Sequence, residues 1–173
     1  SVFHTVCEAA HLAYVNRSPN DAPFIPGTDA WSRALRTLRD QLLARGWRKD
    51  DVGNYSLTIN DDARVNIVVA SGDSGAGISN AEPKTKSTKG MRTELALRAN
   101  RYQSDLFPDD LPVSPEQAES ALQNTTWIFL FHVHDEGVRS ELSLPMYVDD
   151  NGHIGEWELR IIIPEYFGGI DPD

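Results

Sequence analysis

Residues 126–144, TWIFLFHVHDEGVRSELSL, predict two β-strands joined by a tight turn. The strands lie at residues 126–133 and 138–144, and Asp135, Glu136 and Gly137 between them are typical of a hairpin turn. A third strand, at about residues 156–163, follows a turn signal that ends in Asn151–Gly152. Because sequential strands joined by short turns pair antiparallel, the sequence predicts a C-terminal meander over residues 126–163.

A second hairpin is predicted upstream, at residues 55–70. Its strands, at residues 55–59 and 64–70, flank a polar turn at residues 60–63. Alternation at Val65, Ile67 and Val69 is typical of a strand with one deeply buried face. With the meander, this hairpin predicts an antiparallel sheet of about five strands.

Helices are predicted in the first third of the chain. Residues 3–16 have helical spacing, and residues 29–45 carry one apolar stripe. We expect Thr28 or Asp29 to cap the second helix, with Pro26–Gly27 belonging to the break before it. The stripe consists of Trp31, Ala34, Leu35, Leu38 and Leu42.

The whole pattern predicts a single α+β domain over residues 1–173, with the N-terminal helices packed on the sheet. Short helices are also expected at residues 92–101 and after Ser114. We divide the domain into a helical part (1–50), a hairpin with a Gly/Lys-rich loop (51–92), the meander (126–164) and a frayed acidic tail (165–173). A chain of 173 residues with 40% hydrophobic content is long enough for a substantial core.

Charge is unevenly distributed along the chain. The net charge is −10, and residues 101–173 contain 3 Lys/Arg against 15 Asp/Glu. An acidic domain of this kind argues against broad nonspecific binding to nucleic acid. The single cysteine, Cys7, favours a reducing, cytoplasmic location and is expected to be a small buried residue rather than a nucleophile. The longest apolar run, Trp127 to Phe131, is too short to span a membrane.

Residues 71–92 form a loop rich in glycine, serine and lysine, and they are the predicted ligand contact. Glycines allow backbone N–H groups to approach a ligand closely, and the cations suit a phosphate-bearing ligand or a nucleic-acid backbone. A solvated loop whose charges keep the protein soluble is the alternative, and the sequence leaves both open. The candidate ligand-binding residues are Gly72, Asp73, Ser74, Lys84, Lys86, Lys89 and Arg92.

Two familiar motifs nearly match in this loop. The tetrapeptide GDSG at residues 72–75 occurs around the serine of chymotrypsin-like proteases, but His11 precedes Ser74 too closely for their two barrels. Gly72 and Gly77 have the separation of a phosphate-binding P-loop, yet Ile78 occupies the lysine position. We therefore predict neither a serine protease nor a nucleoside triphosphatase.

Two other groups suggest chemistry in the meander. His132 and His134 share a strand face, which suits a metal only if a third ligand joins them; hydrogen-bonded neutral histidines are the alternative. Glu141 and Glu158 suit acid–base or Mg²⁺ chemistry, although cross-strand pairing with Arg160 on the solvent face is the simpler explanation. We predict neither a bound metal nor a cofactor.

Several short segments share a pattern with known sequences. They are GTDAW at 27–31, GW at 46–47, YSL at 55–57, ASGD at 70–73, PKTKSTKG at 83–90, ELSLP at 141–145, and Trp157 with RIIIP at 160–164. Over residues 20–165 the chain resembles a family of uncharacterised bacterial proteins associated with plasmids and other accessory genomes. The resemblance implies a bacterial, intracellular origin and brings no activity or site residue with it.

The leading hypothesis is a binding or accessory protein that contacts its ligand through residues 71–92. Its partner would be a small anionic ligand, nucleic acid or another protein. One competitor is a small hydrolase or nuclease that uses Glu141, Glu158 and a histidine. The other is an acidic inhibitor that mimics nucleic acid, a reading based on the charge of residues 101–173 alone.

Overall fold

The computed structural model describes residues 1–52, 55–105 and 124–169, which form three helices and six strands. The predicted α+β class is confirmed, with six strands where about five were expected. In chain order the elements are α1 (Val2–Val15), α2 (Ile25–Leu43), β1 (Arg48–Val52), β2 (Tyr55–Asn60), β3 (Val65–Ser71), α3 (Met91–Asp105), β4 (Thr125–His134), β5 (Gly137–Val148) and β6 (Ile154–Phe167).

The strands form one sheet in the order β1-β2-β3-β4-β5-β6. The predicted hairpin and the predicted meander are both present, because β2–β3, β4–β5 and β5–β6 all pair antiparallel. The pairing of β3 with β4 is parallel. The chain between those two strands must therefore cross a face of the sheet, and the carboxyl ends of β3 and β4 lie side by side.

One face of the sheet is covered by α1 and α2. The predicted stripe of α2 packs there, with Ala34 and Leu38 fully buried against the core that also contains Phe129 and Phe131 of β4. The indole N–H of Trp31 donates to the carbonyl of Val69 on β3, at 3.0 Å. These contacts confirm that the N-terminal helices pack on the sheet.

The opposite face is covered by α3 and by residues 72–90, which we call the strap. Buried side chains on this face form a second core, in which Leu97 of α3 and Ala76 of the strap meet Ile128 and Leu130 of β4. Because β4 contributes successive residues to both cores, it is the central strand of the molecule.

The start of α2 differs from the prediction. The helix begins at Ile25, so Pro26 and Gly27 lie in its first turn rather than in a break. The N-cap is Phe24, which makes no side-chain capping bond, and the Thr28 hydroxyl donates to the Phe24 carbonyl instead. Proline is well suited to this position, since the first-turn N–H groups have no partner within the helix.

Other helix and strand boundaries also differ from those predicted. Residues 165–167, expected in a frayed tail, continue β6, where Tyr166 pairs with Val138. The helix predicted at residues 92–101 is longer, and the helix expected after Ser114 lies outside the described residues. Among the helices of the described residues, none is long and apolar enough to cross a bilayer.

Candidate functional site

The strap is bound to the sheet along its length, so the expectation of a solvated loop is not what the structure shows. Gly72 and Thr85 form an isolated antiparallel bridge. The Asp73 carboxylate accepts hydrogen bonds from the backbone N–H groups of Gly75 and Lys84, each at 3.0 Å. Further along, the Thr85 hydroxyl accepts from the N–H of Ile154 on β6. The strap is thus a structured covering of the sheet.

A buried ion pair fastens the middle of the strap. The Arg160 guanidinium donates to both carboxylate oxygens of Glu141, at 2.5 and 3.0 Å, and also to the carbonyls of Ile78 and Ala81. The N–H of Gly77 donates to the same carboxylate at 2.9 Å. The predicted pairing with Arg160 is confirmed, but its predicted location on the solvent face is wrong, because the strap covers Glu141 and leaves it fully buried. Its oxygens are therefore occupied by structural contacts, which leaves it unsuited to the acid–base role considered for it.

Gly77 shows how closely the strap approaches the sheet. Its φ is +74°, and a Cβ there would lie 2.6 Å from the backbone nitrogen of Ser140. A side chain at this position would meet backbone that cannot move aside, so only glycine fits.

The predicted ligand-binding residues whose side chains the structure describes lie in different surroundings. Gly72, Asp73 and Ser74 hold the strap in shape, the last by accepting a hydrogen bond from Arg139 at its carbonyl. Lys84 pairs with Asp149 at 3.6 Å. Lys89 is partly buried, and that burial lowers its pKa. The side chain of Arg92 lies outside the described residues. The remaining residue is Lys86.

Lys86 lies at a cleft where the parallel strands end. The cleft has a volume of about 300 Å³ and is bounded by the end of α1 at Tyr14, the first turn of α2 at Gly27, the end of β3 at Ser71, and the end of β4. Two imidazoles, those of His132 and His134, line it together with Lys86. Ligand sites of sheet proteins are often found at such carboxyl strand ends.

The two histidines stack on each other, with ring centroids 6.3 Å apart. The His134 Nε2–H donates to the carboxylate of Glu165 on β6 at 3.0 Å. His132 has its Nδ1 3.4 Å from the Gly72 carbonyl, which can only accept, so the hydrogen lies on Nδ1. Each imidazole therefore has one nitrogen engaged and the other nitrogen available.

The pKa of His132 is lowered from its ordinary value, mainly because burial disfavours the charged imidazolium. The positive charges of Lys86 and Arg139 and the neighbouring His134 lower it further, while the bond to the Gly72 carbonyl acts in the opposite direction. At neutral pH this side chain is accordingly uncharged, and it lies beside fixed cations.

A metal centre is not assembled around these histidines within residues 1–52, 55–105 and 124–169, where no group of three or more His, Cys, Asp and Glu side chains is placed to hold an ion. Asp135 and His153, two side chains that could have supplied a third ligand, are engaged elsewhere. Asp135 pairs with Arg17 at 2.5 Å, and the His153 Nδ1–H donates to the Thr85 carbonyl at 2.7 Å. His132 and His134 are therefore hydrogen-bonded side chains at the end of the sheet.

Sequence reasoning found His132, His134 and Lys86 separately but did not bring them together. Their meeting depends on the parallel pairing of β3 with β4, which has no local signal in the sequence. Glu165, the partner of His134, was assigned to a frayed tail. Comparisons with protein-family models, curated proteins and solved structures find no match, and the resemblance to accessory-genome proteins stays a prediction.

Proposed function

We propose that this protein binds a small phosphate-bearing ligand in the strand-end cleft. The observation that carries the proposal is the convergence of Lys86, His132 and His134 on one cavity at the carboxyl ends of β3 and β4. A lysine ammonium donates to phosphate oxygens, and an imidazole can do so from its second nitrogen once that nitrogen is protonated. Hydrogen bonds to charged groups are stronger than neutral ones.

The first turn of α2 adds to this electrostatic environment. Gly27 of that turn borders the cleft, and the N-terminus of a 19-residue helix carries a partial positive charge. The contribution is secondary to that of Lys86, since the helix end alone offers no specificity. Together, the helix end and the lysine favour an anion over a cation or a neutral ligand.

The size of the cleft and the charge of the chain favour a small ligand over a polymer. A volume of about 300 Å³ is at the lower end for small-molecule sites. The net charge of −10 would repel an extended nucleic-acid backbone. The ligand that fits both facts is a phosphate on a small molecule, with only the phosphate enclosed.

The proposal extends to a cytoplasmic binding or accessory protein. In support, the single cysteine is a free, buried thiol, as expected in a reducing compartment. A hydrolase that uses Glu141 has less support, because that carboxylate is held between Arg160 and the strap.

Calorimetric titration with inorganic phosphate and with a nucleoside monophosphate tests the proposal. Lys86→Ala should weaken binding by about tenfold to a hundredfold, since the loss of a charged hydrogen bond costs roughly 1.5–3 kcal/mol. Lys84→Ala is the matched control: it removes an equal charge two residues away, but one that pairs with Asp149 instead. Equal affinities in the two variants, or no binding by the wild type, would refute the proposal.

A further inference from the structure

We propose that the cleft selects a terminal phosphate, which can carry two negative charges, by taking up a proton on His132 as the phosphate binds. This inference rests on the proposed function and makes it more specific. A phosphodiester carries one negative charge only, so the mechanism separates the end of a ligand from the interior of a nucleic-acid chain.

The charged groups around His132 are arranged in favour of an incoming anion. Positive or protonatable neighbours come from three elements: Lys86 of the strap, Arg139 of β5 and His134 of β4 itself. Of the carboxylates nearby, Asp135 pairs with Arg17. Glu165 accepts a hydrogen bond from His134, and its single charge is outnumbered by those of Lys86 and Arg139. From the helices, the uncharged phenol of Tyr14 and the backbone of Gly27 complete the lining. The local excess of charge in the free protein is therefore positive.

That excess explains why His132 is neutral before binding and charged afterwards. Its burial and its cationic neighbours disfavour the imidazolium while the cleft is empty of anion. An anion in the cleft replaces this repulsion by attraction. Because Coulomb energy is proportional to charge, a dianion at a given distance stabilises the imidazolium twice as strongly as a monoanion.

The hydrogen-bond geometry identifies the nitrogen that takes the proton. His132 already carries a hydrogen on Nδ1, directed to the Gly72 carbonyl. The incoming proton therefore adds to Nε2, and the resulting imidazolium has N–H donors at both nitrogens. Proton uptake and donation to the ligand are then the same event at one atom.

Sulfate and methyl sulfate are suitable probes, because the first is a dianion, the second a monoanion, and neither changes its charge in the relevant range. We expect the sulfate affinity of the wild type to rise severalfold between about pH 8 and about pH 6, where histidine titrates. Methyl sulfate should bind more weakly and with a smaller dependence on pH. A sulfate affinity that does not change with pH would overturn the inference while leaving the proposed function intact.

His132→Gln should abolish the pH dependence but retain weak binding of sulfate through Lys86. His134→Gln, which alters the other imidazole of the same stack, should retain the pH dependence of sulfate binding. If the pH dependence disappears in His134→Gln instead, His134 rather than His132 takes up the proton, and the inference is incorrect. Absence of sulfate binding at every pH would refute the proposed function as well.

A measurement on the wild type avoids any effect of the substitutions on folding. Calorimetry of sulfate binding in two buffers with different ionisation heats gives the number of protons taken up. We expect a value between zero and one near neutral pH, where the free imidazole of His132 is uncharged and the bound anion favours its protonation. A value of zero at neutral pH contradicts the inference.

Discussion

Cys7 lies on the buried side of α1, with its Sγ 3.4 Å from the Oγ of Ser140 on β5. Burial raises the pKa of the thiol to about 11, and the contact with Ser140 offsets only part of that effect. The prediction from sequence that Cys7 is a small buried residue is confirmed, since only 1% of it is exposed. A thiol in this environment is neither ionised nor reachable.

We therefore predict that Cys7 does not react with a thiol-specific reagent in the native protein near pH 8. Reaction should occur at the rate of an ordinary thiol after addition of denaturant, since the unfolded chain restores both access and the usual pKa. With a reagent that releases a coloured thiolate when it reacts, the increase in absorbance measures the reaction rate of Cys7 in the native and in the unfolded protein. Rapid labelling of the native protein would show that α1 separates readily from β5.

Single residues also show where the sequence allowed the site to be predicted and where it did not. The shared strand face of His132 and His134 followed from their spacing, because side chains two apart on a strand point the same way. For Glu141 the pairing with Arg160 was predicted from the adjoining strands and is confirmed, but the burial of the pair was not predicted. Its other partner, Gly77, is distant in sequence, and only the folded strap shows that the carboxylate is buried and fully bonded.

At the scale of elements, the strap depends on the buried pair of Glu141 and Arg160. Glu141→Gln should destabilise the protein by about 3 kcal/mol, because removal of one charge from a buried pair leaves the other uncompensated. The strap should be the first segment to loosen. Trypsin digestion followed by mass spectrometry should then show faster cleavage at Lys84 and Lys86 than in the wild type.

The control is Glu158→Gln, the same chemical change at an exposed position of β6. This variant should alter stability by less than about 0.5 kcal/mol, as is usual for surface substitutions. Its cleavage pattern should match that of the wild type. Similar behaviour of the two variants would mean that the buried pair does not hold the strap.

Elements with a strong periodic pattern were predicted correctly, and β1, which has none, was missed. The stripe of α2 predicted a helix because its spacing matches only that structure, and the apolar run of β4 predicted a strand because of its short length, its aromatic content and the turn signal that follows it. β1, with the sequence RKDDV, carries no such pattern. It is a strand because β2 offers a free edge, and its Arg48 and Asp51 pair with Asp61 and Arg39.

The whole molecule has one sheet between two cores, and β4 belongs to both. Phe129 is fully buried against α1 and α2, and Leu130 is fully buried against α3 and the strap. Replacement of either by alanine should destabilise the fold by several kcal/mol, roughly 3–5 for the phenylalanine and 2–5 for the leucine. Leu159→Ala, at a half-exposed position of β6, is the control and should cost far less.

Because the cores share this strand, we expect each variant to unfold in one transition. Urea titrations followed by circular dichroism and by tryptophan fluorescence should give coincident curves. Trp31 reports on the first core and Trp157 packs against the second. Separate midpoints for circular dichroism and tryptophan fluorescence would show that the two sides of the sheet unfold independently.

The fold class was predictable because hairpins are local, whereas the parallel contact between β3 and β4 was not. Asn66 and Thr126 are register partners across that contact, yet they are 60 residues apart in sequence. No turn or spacing signals such a pairing. The cleft lies at the end of this contact, which is why its position could not be derived from the sequence.

The parallel contact also has a consequence for the order of folding. Strands β1–β3 form one group of three consecutive antiparallel strands, and β4–β6 form another. Within each group the pairing closes only short loops, which happens quickly. The contact between the runs closes a much longer loop, and contacts of long sequence separation slow folding. We therefore expect two partly formed three-stranded units early in folding, with the cleft absent until they join. The ligand site would be among the last features of the molecule to form.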